Sequence, residues 1–420
     1  MKVMVVGGGA REHAIAWKLG ASPQVTEIFT APGNTGTAML GTNLDIAATD
    51  VDGLLAAAKY NRIDLTVVGP ETALEAGIVD RFRSEGMTIA GPSQAAARIE
   101  TSKSFAKGLM LKYNIPTGKA EVFTSYESAS SYIQQTQMPI VIKADGLAAG
   151  KGVTVCETLE IALEALHEAM EDHTFGPAGE QVLVEECLFG PEISVFTFTD
   201  GVHLSPLVSA CDYKRAGDGD KGPNTGGMGS YSPSRVWNDA LSDRIMLEIM
   251  APIVKALADE GTPFRGVLYG GIILTSEGPK VIEFNARWGD PETQTVLPRL
   301  QSDLMDLYMA TTDGTVDETT VQWSEEACVG VVLASGGYPG DYKTGFPING
   351  LDGLDDGVSV FHAGTRKSNC GNISVPITAG GRVLTVTATG TSVEQARQRT
   401  YNNVTRITFE NAEYRTDIAR

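Results

Sequence analysis

Two lysines bracketing a loop of small residues carry the densest chemical signal in this chain. Ile140–Val141–Ile142–Lys143 reads as a strand, the stretch from Ala144 through Gly152 as a Gly/Ala-rich loop, and Val153–Cys156 as a second strand. Such a loop exposes backbone N–H groups to phosphate oxygens, so Gly146, Gly150, Lys151 and Gly152 read as a flap closing over a triphosphate. Lys143, near the strand end, offers a point charge to the same phosphates. This is not the phosphate loop that opens a helix with Gly-Lys-Ser/Thr. Three residues separate Gly146 from Gly150, Gly152 follows Lys151, and a strand comes next. Lys103, opening a helix upstream, supplies a second cation; alone it would read as a solvated helix residue.

The complementary anionic set lies far downstream. Val281–Ile282–Glu283–Phe284–Asn285 ends a strand, and residues two apart share a face. Glu283 and Asn285 therefore project together while Phe284 enters the opposite core. Two oxygen ligands completed by phosphate oxygens and water suit octahedral Mg²⁺. The next loop crowds Arg287, Asp290, Glu292 and Thr293 into one short stretch. Upstream, Gln181–Glu185 is a strand running into a connector through Leu188, with Glu192 beyond it. Asp212–Tyr213–Lys214–Arg215 and the glycine-rich run from Gly222 to Gly229 read as one polar, mobile region. No Ser/His/Asp or Cys/His arrangement stands out, and no histidine has metal-ligand spacing.

At the N-terminus, Val3–Val6 followed by Gly7–Gly8–Gly9–Ala10–Arg11–Glu12 invites a dinucleotide-binding reading. The third glycine of that fingerprint is replaced by Glu12, and no acidic residue ends the second strand, where Ile28–Phe29–Thr30–Ala31 stands. What remains is a glycine turn at a helix N-terminus, where N–H groups and the dipole favour an anion. Arg11 adds a two-pronged donor, and a phosphomonoester is the expected guest. The bland alternative is a tight turn with no ligand.

The elements that must position these residues follow from periodicity. Over residues 1 to about 100, apolar strands (Lys2–Val6, Val25–Thr30, Leu65–Val68, Thr88–Ala90) alternate with helices (Glu12–Leu19, Val51–Tyr60, Leu74–Ser84), the pattern of an open parallel sheet. Ligands of such sheets sit at the carboxyl ends of strands, where Gly7–Gly9 and Gly69–Pro70–Glu71 fall. A helix at Ser102–Tyr113 leads into a strand–helix–strand–strand–helix–strand unit from Ala120 to about Glu186. Strands follow at Ile193–Thr199, Val267–Leu274 and Lys280–Phe284. After a polar break near Thr311–Thr320, residues 325–420 carry short β-like runs and a helix at Val393–Val404.

The 420 residues predict two to four domains. A net charge of −19 disfavours nucleic acid, though not an anionic small molecule held by a few placed cations. Five scattered cysteines without a CxxC pair read as reduced thiols, and no leader or membrane-length apolar run is evident. A cytoplasmic protein without a membrane partner is expected.

Together these segments resemble the phosphoribosylamine–glycine ligase family of ATP-grasp enzymes. The likeness covers nearly the whole chain, through Val6–His13, Gly69–Glu71, Thr101–Lys103, Lys143–Gly152, Asp212–Arg215, Asn224–Gly229 and Glu283–Thr293. It implies an α/β and α+β multidomain fold: an N-terminal α/β domain (1–101), a central ATP-grasp domain (102–119 and 187–324), a lid (120–186) and a small β-rich C-terminal domain (325–420). By position, Lys103 and Lys143 would hold the phosphates of ATP, Glu185 and Leu188 would flank adenine, and Glu192 the ribose. Glu283 and Asn285 would hold Mg²⁺ or Mn²⁺. Gly9, Arg11, Glu12, His13 and Glu71 would face 5-phosphoribosylamine. Asp212, Lys214, Arg287, Asp290 and Thr293 would line the glycine and transfer region, with Arg287, Asp212 and Lys214 the catalytic candidates. The resemblance implies joining of glycine to 5-phosphoribosylamine by a monomer. Many ATP-grasp enzymes carry a further metal-binding Glu one strand earlier, where this chain has Gly266–Val267–Leu268–Tyr269–Gly270–Gly271. Its rivals are a carboxylating ATP-grasp enzyme, an NAD-dependent oxidoreductase weakened by Glu12, and a non-catalytic nucleotide sensor, for which retention of Glu283 and Asn285 is unexpected.

Overall fold

The computed structural model describes residues 1–147, 152–368 and 375–420. At the N-terminus five parallel strands lie in the spatial order Thr42–Asn43, Glu27–Pro32, Lys2–Gly7, Leu65–Val68, Ile89–Ala90. Met4 and Val6 enter one apolar core and Val3 and Val5 another, so the sheet is covered on both faces, as parallel sheets require. Strand order reverses beside Lys2–Gly7, which puts Gly7–Gly9 and Gly69–Glu71 at one crevice. Two expectations shift. The second strand starts at Glu27, because the Val25 N–H is still bonded to the Ser22 carbonyl (3.2 Å) in the turn leaving the first helix. The helix expected over Leu74–Ser84 is two, Glu71–Glu75 and Ile78–Ser84, broken at Gly77, whose φ of +78° is left-handed.

Residues 120–186 build an antiparallel sheet in the order Ala120–Phe123, Val182–Glu186, Ile140–Ala144, Val153–Cys156. Ile140, Ile142, Val182 and Val184 pack with Ala129, Ile133, Ala162 and Leu166 of two helices, Tyr126–Ile133 and Leu159–Met170. Alternation then sends Lys143 and Glu185 to the other face. Val141 pairs with Glu185, making Lys143 its diagonal neighbour.

A larger sheet of nine strands runs from Gly278–Asn285 through Gly266–Thr275, Glu192–Thr199, Val208–Asp212 and Gly229–Ser232 into Ala327–Ser335, Arg382–Gly390 and Val358–His362, with Ala412–Glu413 alongside. The C-terminal strands are thus not a separate layer. Gly229 pairs with Val331 and Ser232 with Cys328, joining backbone to backbone across the polar break. The glycine-rich run expected to be mobile is largely ordered pairing: Lys221–Asn224 forms a hairpin with Arg215–Gly217, and Gly229–Ser232 is wholly buried. Helix Val393–Val404 covers this end, burying Ala396 and Val404 against Val329, Val331 and Val386.

The N-terminal and C-terminal parts meet at His13. Its Nδ1 accepts the His362 N–H at 2.9 Å, and its ring meets Phe361 edge-on at 5.7 Å between centroids. Burial, helped by His362, pushes the His13 pKa from 6.5 to about 3, and burial lowers His362 to about 4. Folded, these rings stay neutral where the unfolded chain would bind protons. Their contribution to stability is therefore complete above the ordinary histidine value and is lost as pH falls below it. Thermal midpoints measured from pH 7.5 to 5 should fall, with a slope of at most about 1.4 kcal/mol per pH unit per histidine. His13→Gln, which keeps an acceptor but cannot titrate, should flatten that slope; an unchanged slope would exclude His13 as a contributor.

Candidate active site

The polar face of the small sheet looks onto the end of strand Gly278–Asn285. Lys143 Nζ donates to the carbonyl of Ile282 at 3.1 Å, immediately beside Glu283, and pairs with Glu185 at 2.8 Å. Segments 139 residues apart in the chain therefore converge on one cleft. The other Glu185 oxygen lies 3.4 Å from Lys107, a buried lysine the sequence reading missed because it sits mid-helix without a motif. Lys103 Nζ donates to the carbonyls of Ala144 (3.1 Å) and Gly146 (2.8 Å), so it ends at the mouth of the loop. Asp145 locks that mouth to the helix by accepting the Ser104 N–H (3.2 Å) and the Ser102 hydroxyl (3.3 Å). Gly146 has a φ of +141°, and a Cβ there would stand 2.8 Å from that of Ala178. Gly152 is buried; Gly150 and Lys151 lie outside the described residues.

Phe284 is buried in the core, and strand alternation puts Glu283 and Asn285 on the opposite face, Glu283 lining the cleft. Burial opposes ionisation of Glu283, but Lys214, Lys143, Lys103 and Arg287 outweigh it and hold the carboxyl below its ordinary range. An ionised carboxylate and an amide oxygen on one face fit a hard divalent cation. The neighbouring strand adds no carboxylate: Gly271 pairs with Glu283, and a Cβ at Gly271 would sit 3.2 Å from Glu283 Cγ. A recess beside the pair is lined by Glu192, Ser194, Asp212, Lys214, Tyr269 and Glu283. Lys214 pairs with the exposed Glu192 at 3.1 Å. Burial pushes Asp212 up to about 7 against the pull of Lys214, and Glu292, Glu192 and Glu283 add to the push. Asp212 in turn holds Lys214 well above its usual value, so the lysine keeps its charge. Leu188 is half-buried at the connector, beside Gly118.

At the crevice of the parallel sheet, the chain's own Glu12 occupies the glycine turn. Its carboxylate accepts the Gly9 N–H (2.7 Å) and the Arg11 Nε–H (2.7 Å), and a Cβ at Gly69 would fall 2.2 Å from its oxygen. A buried carboxylate thus supplies the anion that the helix N-terminus favours. Arg11 also donates to the Trp288 carbonyl (3.2 Å) and approaches Glu71 (3.8 Å). His13 is buried and turned toward Phe361. Thr293 is wholly buried, with its hydroxyl on the Gly289 carbonyl, so it shapes the loop rather than lining a surface.

Arg287 joins the two regions. Its guanidinium pairs with Glu71 (3.0 Å) and with Glu100, whose other oxygen accepts the Ala286 N–H at 2.7 Å. Against the push of burial, Arg287 and Arg11 draw Glu71 down to about 2. Glu100 is more deeply enclosed, and burial lifts it to about 7 despite Arg287. Sequence reading missed Glu100, although it lies three residues before Lys103. Gly9 abuts Asp290, whose carboxylate oxygen would be 3.6 Å from a Cβ at that glycine.

A parallel-sheet domain, a small antiparallel sheet and a large antiparallel sheet, with lysines facing an acidic strand end between the last two, define an ATP-grasp enzyme. The phosphoribosylglycinamide synthetase family models match in order: the N domain over residues 1–100, the ATP-grasp (A) domain over 101–293 and the C domain over 328–420. The chain belongs to this phosphoribosylamine–glycine ligase family. It is 49% identical over 418 residues to phosphoribosylamine–glycine ligase of Halalkalibacterium halodurans, covering all of this chain and 96% of that one. It is 48% identical to that of Escherichia coli K12, covering all of this chain and 98% of the relative. A crystal structure of phosphoribosylamine–glycine ligase from Thermotoga maritima superposes with a TM-score of 0.86 at 31% identity, each chain fully covered. The biotin carboxylase domain of Hydrogenobacter thermophilus 2-oxoglutarate carboxylase shares the fold at 14% identity and a TM-score of 0.71, over 98% of this chain and 91% of that one. Among the described residues no helix is long and apolar enough to cross a membrane.

Truncating one partner of an enclosed ion pair strands the other. Glu100→Ala should lower the unfolding free energy by about 3 kcal/mol. Glu27→Ala, whose pair with Lys2 is exposed, should cost at most about 1 kcal/mol. Urea unfolding of the two variants compares them directly, and equal losses would deny the Glu100 pair its special place.

Proposed function

We infer that the cleft between Lys143 and Glu283 carries the family's reaction: ATP-dependent joining of glycine to 5-phosphoribosylamine, giving glycinamide ribonucleotide, ADP and phosphate in purine biosynthesis. The approach of Lys143 to the Ile282 carbonyl beside Glu283 is the observation that carries the site assignment. In our reading a glycine carboxylate oxygen attacks the γ-phosphorus of ATP and the bond to the β-phosphate oxygen breaks. ADP leaves, and glycyl phosphate forms. The amine of phosphoribosylamine then attacks the glycyl carbonyl carbon, loses a proton and expels phosphate.

Such chemistry needs little covalent help from side chains; positioning and neutralisation of charge lower the barrier. Lys103 and Lys143 meet the phosphates, Lys214 and Arg287 balance carboxylate and acyl-phosphate charge, and Asp212 sets the charge of Lys214. Mg²⁺ or Mn²⁺ held by Glu283 and Asn285 would add Lewis-acid charge stabilisation when bound. Glu185, Leu188 and Glu192 border the proposed nucleoside side of the cleft. Arg11, Glu12 and Glu71 shape the proposed amine side, with Asp290 and Gly9 between the two. We assign this work to the four-part division 1–101, 102–119 with 187–324, 120–186 and 325–420. The chain is read as a cytoplasmic monomer without a nucleic-acid partner.

Phosphate release should require ATP, a divalent cation, glycine and phosphoribosylamine together; release driven by bicarbonate without glycine would replace this reading with a carboxylating one. Lys143→Ala should lower turnover by roughly 10²–10³, the loss typical of one preorganised electrostatic donor. Glu283→Gln should raise the Mg²⁺ concentration needed for half-maximal rate. An unchanged Mg²⁺ titration would move the metal elsewhere.

A further inference from the structure

The C-terminal part reaches the transfer region through Arg382, which opens strand Arg382–Gly390 directly after Gly380–Gly381. Its guanidinium pairs with the Asp290 carboxylate at 3.1 Å. The same group donates to the carbonyls of Asp290 (3.0 Å), Gly227 (3.3 Å) and Gly226. Gln294, wholly buried, gives its amide N–H to the other Asp290 oxygen at 2.8 Å, so the carboxylate is gripped from both ends. The Gly226 N–H donates to the Tyr338 hydroxyl at 3.0 Å, a second hold from the C-terminal part on the same turn. Gly227 admits nothing larger, and Gly226 packs closely on the fork. A Cβ at Gly226 would lie 3.0 Å from Arg382 Cζ, and one at Gly227, with φ +106°, 2.3 Å from Pro291 Cδ.

One fork therefore staples the turn Asn224–Gly229 to the loop Arg287–Thr293. We propose that Arg382 is a positioning residue for the glycine and amine-transfer half of the reaction, making the C-terminal part a component of the active site. The proposal rests on the assignment of Asp290 to the substrate side. It calls on what only a guanidinium offers: a planar set of donors that grips a carboxylate and several carbonyls at once, where lysine has a single point charge. None of its named contacts involves Lys103, Lys143 or Glu283, so the nucleotide half should be indifferent to it.

Two variants separate positioning from mere bracing: Arg382→Lys, which keeps the charge and loses the fork, and Arg382→Met, which loses both. In each, KM for ATP should stay within about twofold while kcat/KM for glycine and for phosphoribosylamine falls at least about tenfold, the scale expected for a displaced substrate-positioning group. ATP consumed per glycinamide ribonucleotide formed should rise above the wild-type ratio, because misplaced glycyl phosphate is lost to water. An unchanged ratio with unchanged substrate KM values would overturn the proposal. So would a parallel loss in thermal midpoint, ATP KM and every other parameter. If both variants fail to fold, Tyr338→Phe decides, since it frees the same turn without touching Arg382: it should show the raised ratio in smaller measure, and wild-type coupling would count against the proposal. Wild-type enzyme that turns over ATP without needing glycine would instead remove the functional reading itself.

Discussion

Arg287 is a cation enclosed by protein, and everything near it is arranged to answer its charge. Taking a guanidinium out of water is tolerable only with well-placed anions, and taking those anions out of water demands the cation in return. Glu71 opens the short helix after a parallel strand, Glu100 comes from the helix that precedes Lys103, and Arg287 from the loop after the strand Gly278–Asn285. Arg11 and Glu12 extend the balance into the glycine turn. The mutual requirement fixes how the N-terminal sheet docks on the central one, and hence where an amine substrate could stand relative to a nucleotide.

The second polar joint has another character. Lys143 and Lys107 share the one anion Glu185 at contact distance, with carbonyl oxygens completing their hydrogen bonds. Lys103 adds another cation, hydrogen-bonded to carbonyls and facing the carboxylates of Glu283 and Asp145. A site of this kind is better satisfied when phosphate oxygens are present than when they are absent.

The sequence was legible wherever local periodicity and local chemistry agree. The alternation in residues 1–100, the strand and helix order from Ala120 to Glu186, helix Val393–Val404 and the shared face of Glu283 and Asn285 are of that kind. Gly77 split a helix because its left-handed geometry outweighed the apolar pattern around it. The internal partners of Glu12 and His13 were not legible for a different reason. Both sit where a ligand-binding pattern would place a contact, yet each side chain is used to fill an internal space, and which partner fills a space is a matter of folding, not spacing. Glu100, Lys107 and Arg382 escaped for the converse reason: each acts across more than 75 positions and belongs to no local motif. The merging of C-terminal strands into the central sheet was likewise invisible, since edge pairing leaves no trace in either partner's alternation.

That merged sheet limits how this chain could be rebuilt. The seam between Gly229–Ser232 and Ala327–Ser335 is a ladder of peptide groups whose side chains are buried on both strands. Were the polypeptide severed near Glu325, each fragment would carry a raw, apolar strand margin with unmet amides, a template for clumping with strangers as readily as for reunion. Extra residues could be spliced into that connection, whereas fission into two independently made polypeptides would have to be matched by some new cover for both margins.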